Sequence, residues 1–131
     1  MTADAPLGRL LRVLDAARAA HPELARPLTW HGARAICRRL HIPVVHAPMP
    51  RPACVVAPLG SPVILLDSDT PPRRHTAFLA HELAHVFLGH VSEREPVWYL
   101  DPCCPDDPRE CDADTLAALL LGGPRFAEQF G

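Results

Sequence analysis

The run His81-Glu82-Leu83-Ala84-His85, set in a 3.6-residue apolar pattern between Pro71 and Gly89, constrains this chain more than any other feature. In a helix, residues four apart lie about 40° apart around the axis, so both imidazoles project toward one point. A helix patterned like this must be covered on its apolar side and must hold a polar centre beside it. The pattern predicts a helix that starts after Asp69 or Thr70, has Pro71 in its first turn and stops at Gly89, a common helix terminator.

Two imidazoles at this spacing suit a single Zn²⁺, about one per chain. Glu82 sits about 100° round from His81, within reach of a water at the metal without being a ligand, which is where a general base is needed. The competing reading is two core histidines with an incidental acid. A third ligand must come from elsewhere. The extended pattern HExxHxxGxxH would need Gly at 88 and His at 91, and the chain has Leu88 and Val91 there. His90, about 180° round the same helix, can join the metal only if the helix breaks sharply at Gly89, so a packing or outer-layer role is expected for it.

Glu110-Cys111-Asp112-Ala113-Asp114 supplies the better candidate, because Glu110 and Asp114 fall one turn apart on one helix face. In thermolysin-like sites an ExxxD run gives a Glu that completes the ligand set and an Asp that accepts a hydrogen bond from a liganding imidazole. Glu110 in a first turn also sits comfortably at the positive end of its helix. The plainer alternative is that both acids only cap the helix.

The rest of the chain must build the support. Leu7, Leu10, Leu11 and Leu14 mark a helix ending near Ala20. Thr29 can cap a second helix whose face is Ala33, Ile36, Cys37 and Leu40, with Arg34, Arg38 and Arg39 turned outward. Val44-Val45, Cys54 to Val56 and Val63 to Leu66 read as three short strands, antiparallel at least in the last pair. Val63 to Leu66 is expected at a sheet edge, where a substrate backbone could pair with it. Ser92 to Asp107 reads as an irregular loop, followed by a helix over Glu110 to Leu121, closed by Gly122-Gly123-Pro124, and a short tail helix. The expectation is an α+β fold: a helix bundle carrying the HExxH helix beside a small three-stranded, mainly antiparallel sheet. Residues 1–131 are read as one domain, with 1–28 an N-terminal helix and linker and 29–131 the catalytic core.

Net charge is -2 with the histidines neutral, which argues against direct nucleic-acid binding or attraction to an anionic membrane. No apolar run approaches the length of a membrane span. Arg9, Arg12 and Asp15 interrupt any signal-peptide core, so a cytoplasmic location is expected. The five cysteines, an odd number, are then read as thiols or metal ligands and not as a disulfide framework. Cys37 and Cys54 fall on apolar faces. Cys103, Cys104 and Cys111 could be a redox element, a second metal site or nothing functional.

Taken together, HELAHVFLGH, an ILLDSD strand before it and ECDADTLAALLL after it resemble the ImmA/IrrE-type metallopeptidases over roughly residues 30 to 124. Leu116 stands where that family's pattern has Phe, and Gly122-Gly123-Pro124 replaces its Met-Pro. The resemblance implies a minimal gluzincin-like zinc endopeptidase that cuts helix-turn-helix transcriptional repressors. It implies His81, His85 and Glu110 as metal ligands, Glu82 as the catalytic acid and Asp114 as the family's Asn/Asp position. Tyr99, His75 and Arg74 are candidates for stabilising the oxyanion. A different class of function stays open, a zinc-binding regulatory or toxin-type module that holds a repressor without cutting it; Glu82 weighs against this, because pure binding needs no acid there.

Overall fold

A computed structural model of the chain describes residues 6–57, 61–91, 97–99 and 107–128. Helix α1 (Pro6–Ala20) buries Leu10, Leu14 and Ala17, while Leu7, in its first turn, stays exposed. A short 3₁₀ turn (Pro22–Ala25) leads into α2 (Trp30–Arg39). The Thr29 hydroxyl accepts from the Gly32 N–H at 3.0 Å, the cap expected from the sequence, and Ala33, Ile36 and Cys37 are buried. Leu40 falls at the C-cap and is exposed, one position past the buried face.

Strands β1 (Val44–Ala47), β2 (Ala53–Val56) and β3 (Val63–Asp67) form where the β-branched runs lie, and a fourth, β4 (Val97–Tyr99), joins them. The order is β1-β3-β2-β4. β2 pairs antiparallel with both β3 and β4, whereas β1 runs parallel to β3. The expectation that Val63 to Leu66 forms an edge is therefore corrected. β3 is flanked on both sides, and among the described residues the free edges belong to β1 and β4. Burial gives the reason: Ile64 and Leu66 lie fully inside, so the most apolar run takes a central place.

Asp67, ending β3, ties the sheet to the next helix. Its backbone N–H reaches the Pro52 carbonyl at 2.9 Å, and its carboxylate accepts from the N–H groups of Met49 and Asp69, both at 3.2 Å. From this turn α3 (Pro72–Phe87) starts, with proline in its first turn. Helix α4 (Pro108–Glu128) starts at Asp107, whose carboxylate accepts from the Arg109 N–H at 2.9 Å. It bends at Gly123, where φ is 79° and ψ is -179° and a Cβ would lie 2.9 Å from Pro27. Only glycine fits there.

One apolar core joins all four helices to the sheet, with α3 at its centre. Among the described residues, no helix is long and apolar enough to cross a membrane.

Candidate metal centre

Every residue from Leu79 to His85 is buried, including His81, Glu82 and His85. The apolar members enter the core, and the two imidazoles face α4. There Glu110 sits in the first turn, three residues after the Asp107 cap, so the register set by the cap aims its carboxylate at both rings. His81 Nε2 is 3.1 Å from Glu110 Oε1, His85 Nε2 is 2.9 Å from Glu110 Oε2, and the two Nε2 atoms are 3.2 Å apart. Among the described residues, His81, His85 and Glu110 form the group of three that could hold one ion, their donor atoms lying within 4.8 Å of one another.

Both histidines turn Nε2 toward this point, so each Nδ1 faces outward to a partner. His81 Nδ1 lies 2.8 Å from Asp114 Oδ1, one turn beyond Glu110. Only an Nδ1–H can donate to that carboxylate. Asp114 is itself largely exposed. His85 Nδ1 lies 2.9 Å from His90 Nδ1, with ring centroids 5.1 Å apart. His90 thus reaches His85 from outside and does not converge on the central point.

Electrostatics at the centre are uneven. Burial alone would raise the Glu110 carboxyl, but hydrogen bonds from His81 and His85 outweigh it and hold the group at about 2. Burial lowers His81, and Glu110, Glu82 and Asp114 together more than reverse this, so it ends above its ordinary value. His85 ends below, with burial the largest cause. Burial drives Glu82 up to about 8, against the pull of His81 and with the push of Glu110. Both Glu82 carboxylate oxygens are buried without a hydrogen-bond partner among the described residues. An orphaned buried carboxylate costs a folded chain about 1–3 kcal/mol or more, so an acid kept in this position points to water or a cation beside it.

Cys54, a buried residue of β2, stands close enough to Glu82 that the carboxylate, after burial itself, helps push its thiol up to about 11. Sequence reasoning placed Cys54 in the core but missed its place near the acid, since no spacing connects β2 to the helix. β4 is the next strand in the sheet, Tyr99 pairing directly with Cys54.

The other singled-out residues are placed as follows. The Tyr99 side chain, and Cys103 and Cys104, lie outside the described residues. Cys111 is exposed, and Cys37 is buried like Cys54. His75, about 9 Å before His81 along the helix axis, packs its ring against Trp30 at 5.9 Å and His46 at 5.1 Å. Arg34 lies over the same Trp30 ring at 5.6 Å. Arg74 is exposed on the first turn of α3.

A family model for peptidase family M78, described as the IrrE N-terminal-like domain, matches residues 37–129. That range runs from the end of α2 through β1, β2, β3 and α3 to α4, and so contains every residue of the centre. Comparison with curated proteins and with solved structures returns no match.

Proposed function

We propose that this chain, which belongs to peptidase family M78, is a zinc-dependent endopeptidase that cuts a helix-turn-helix transcriptional repressor supplied by another chain. The observation that carries the reading is Glu82: a fully buried carboxylate with both oxygens unpartnered among the described residues, next to two imidazoles and a carboxylate that converge. A module that only bound metal would gain nothing from such an acid.

His81, His85 and Glu110 would hold the metal as a His₂Glu donor set of the kind catalytic zinc sites use. When bound there, Zn²⁺ would supply a Lewis acid that acidifies water and polarises a carbonyl. The chain's own groups do the rest. Glu82 accepts a proton from the attacking water and returns it to the departing amine nitrogen. Asp114 holds the His81 ring with Nε2 turned inward.

Substrate would approach in extended form along the edge that β4 leaves unpaired among the described residues, β4 being the strand next to β2 and its Cys54. An apolar groove between α3 and α4, lined by Ala77, Phe78, Ala117, Ala118 and Leu121, opens beside His81 and offers space for side chains. The net charge of -2 makes the chain itself a poor DNA ligand, so the DNA-binding part belongs to the substrate.

The test is incubation of the zinc-loaded protein with its cognate repressor and with casein. The expected result is cleavage of the repressor at one or a few sites, nearly intact casein, and no cleavage by a Glu82→Gln variant that still holds the metal. Undiminished cleavage by Glu82→Gln overturns the mechanism. Digestion of casein with the repressor untouched overturns the substrate.

A further inference from the structure

His85 has an outward partner that the metallopeptidase reading does not use. At the end of α3, Leu88 is the C-cap and Gly89 reverses the chain with φ at 75°. Two backbone hydrogen bonds close the end: Gly89 N–H to the Val86 carbonyl and His90 N–H to the His85 carbonyl, each 3.0 Å. This 6→1 and 5→2 pair sets the residue after the glycine over the third residue from the helix end. Here those residues are His90 and His85, and the reversal brings their Nδ1 atoms to 2.9 Å.

The chemistry at that contact has few solutions. An imidazole that ligates through Nε2 stays neutral only by keeping its proton on Nδ1, and that proton is best satisfied by an acceptor. His85 turns Nε2 toward Glu110 and His81, so its Nδ1–H faces His90. Two protonated Nδ1 atoms would clash, so His90 must present a lone pair there and keep its own proton on Nε2.

We propose that His90 is a positioning residue for the metal centre: as a neutral imidazole it accepts the Nδ1 proton of His85 and fixes that ring with Nε2 aimed at the ligand point. The role differs from that of Asp114 beside His81, because His90 orients its ligand without adding a negative charge. It rests on the metallopeptidase reading, since an unliganded centre would leave the His85 tautomer without consequence.

The experiment measures zinc affinity by chelator competition for the wild-type chain, His90→Leu and His90→Asn, together with the thermal midpoint of each metal-free protein. Asn places its carbonyl oxygen where the Nδ1 of histidine stands, so it restores an acceptor; Leu fills space without one. Zinc binding should weaken roughly 10 to 100-fold in His90→Leu and return to within about 3-fold of wild type in His90→Asn, with similar metal-free midpoints for the two variants. In the wild-type protein, imidazole ¹⁵N spectra should show His85 protonated on Nδ1 and His90 on Nε2. Wild-type affinity in His90→Leu overturns the proposal, as does equal weakening in both variants, which would reduce the contact to packing. A wild-type chain that binds no zinc overturns the metallopeptidase reading as well, and is told apart by that result alone.

Discussion

Helices α2 and α3 end in the same way, yet the two ends do different work. In α2, Leu40 is the cap, His41 reverses the chain at φ 58°, His41 N–H reaches the Arg38 carbonyl at 3.1 Å and Ile42 N–H reaches the Cys37 carbonyl at 2.8 Å. In α3 the corresponding bonds run from Gly89 to Val86 and from His90 to His85. The residue delivered after the reversal differs. Ile42 goes into the core, whereas His90 goes onto a metal-ligand candidate. The backbone device is indifferent to purpose. What it accomplishes is decided by the side chain that follows and by the residue five positions earlier.

If that division is real, damage at the two ends should appear in different measurements. The largest effect belongs to the polar end: Glu110→Ala should take bound zinc from about one per chain to almost none, because two imidazoles alone are an incomplete site. Elemental analysis of protein purified without added metal measures this, and full occupancy would remove Glu110 from the ligand set. Next comes the apolar end. Ile42→Ala opens a buried space and should cost about 2–5 kcal/mol of unfolding free energy in denaturant titration, while the folded fraction keeps its zinc affinity. A large loss of zinc affinity there would erase the contrast.

The same contrast shows what could be read from the chain. His81, Glu82, His85, Glu110 and Asp114 were legible because helical periodicity converts spacing directly into geometry. For His90 the chain foretold a helix ending at Gly89 and a packing or outer-layer role, but not which ring it would meet, because the path after the reversal follows no periodicity. Sheet order was the weakest part. Alternation and β-branching located β1, β2 and β3, but nothing in them says that β1 runs parallel to β3 or that β3 lies inside. β4 is three residues in a stretch of prolines and cysteines, and its pairing with β2 spans some forty residues of chain. Such a partner leaves no local trace.

A third, smaller effect probes the residue that links the two ends. His21 is buried between them, its Nδ1 2.9 Å from Arg39 Nη1 at the end of α2 and its ring 5.7 Å from Phe87 at the end of α3. Glu23 holds the same guanidinium through two bonds of 2.9 and 2.7 Å. Burial first, then the Arg39 charge, keep His21 below its ordinary value, with Glu23 opposing. The unfolded chain therefore takes up this proton near pH 6.5, before the folded one does. Stability from neutral His21 is fully present above that range and falls as pH drops through it. In metal-free protein, the loss of unfolding free energy between pH 7.5 and 5.5 should be smaller for His21→Gln than for wild type. Equal losses would show that His21 titrates alike in both states.

The finest test adds or removes a Cβ at the two reversal residues, His41 and Gly89. A left-handed conformation costs an L-residue roughly 1–2 kcal/mol relative to glycine, partly offset by the larger entropy that glycine loses on folding. His41 bears that strain at φ 58°, so His41→Gly should stabilise the chain by about 0.5 kcal/mol. Gly89 is free of it at φ 75°, and a Cβ there would meet nothing within 4 Å among the described residues, so Gly89→Ala should cost about 1 kcal/mol from backbone strain alone. The signs are opposite although both substitutions fall at the same step of the same motif. Zinc affinity adds a second axis: His41→Gly leaves it unchanged, whereas Gly89→Ala loosens the turn that holds His90 and should weaken it by a few-fold, less than losing the His90 acceptor outright. Destabilisation by both substitutions would mean that the His41 side chain contributes more than its strained backbone costs, and that the two ends are not the same device.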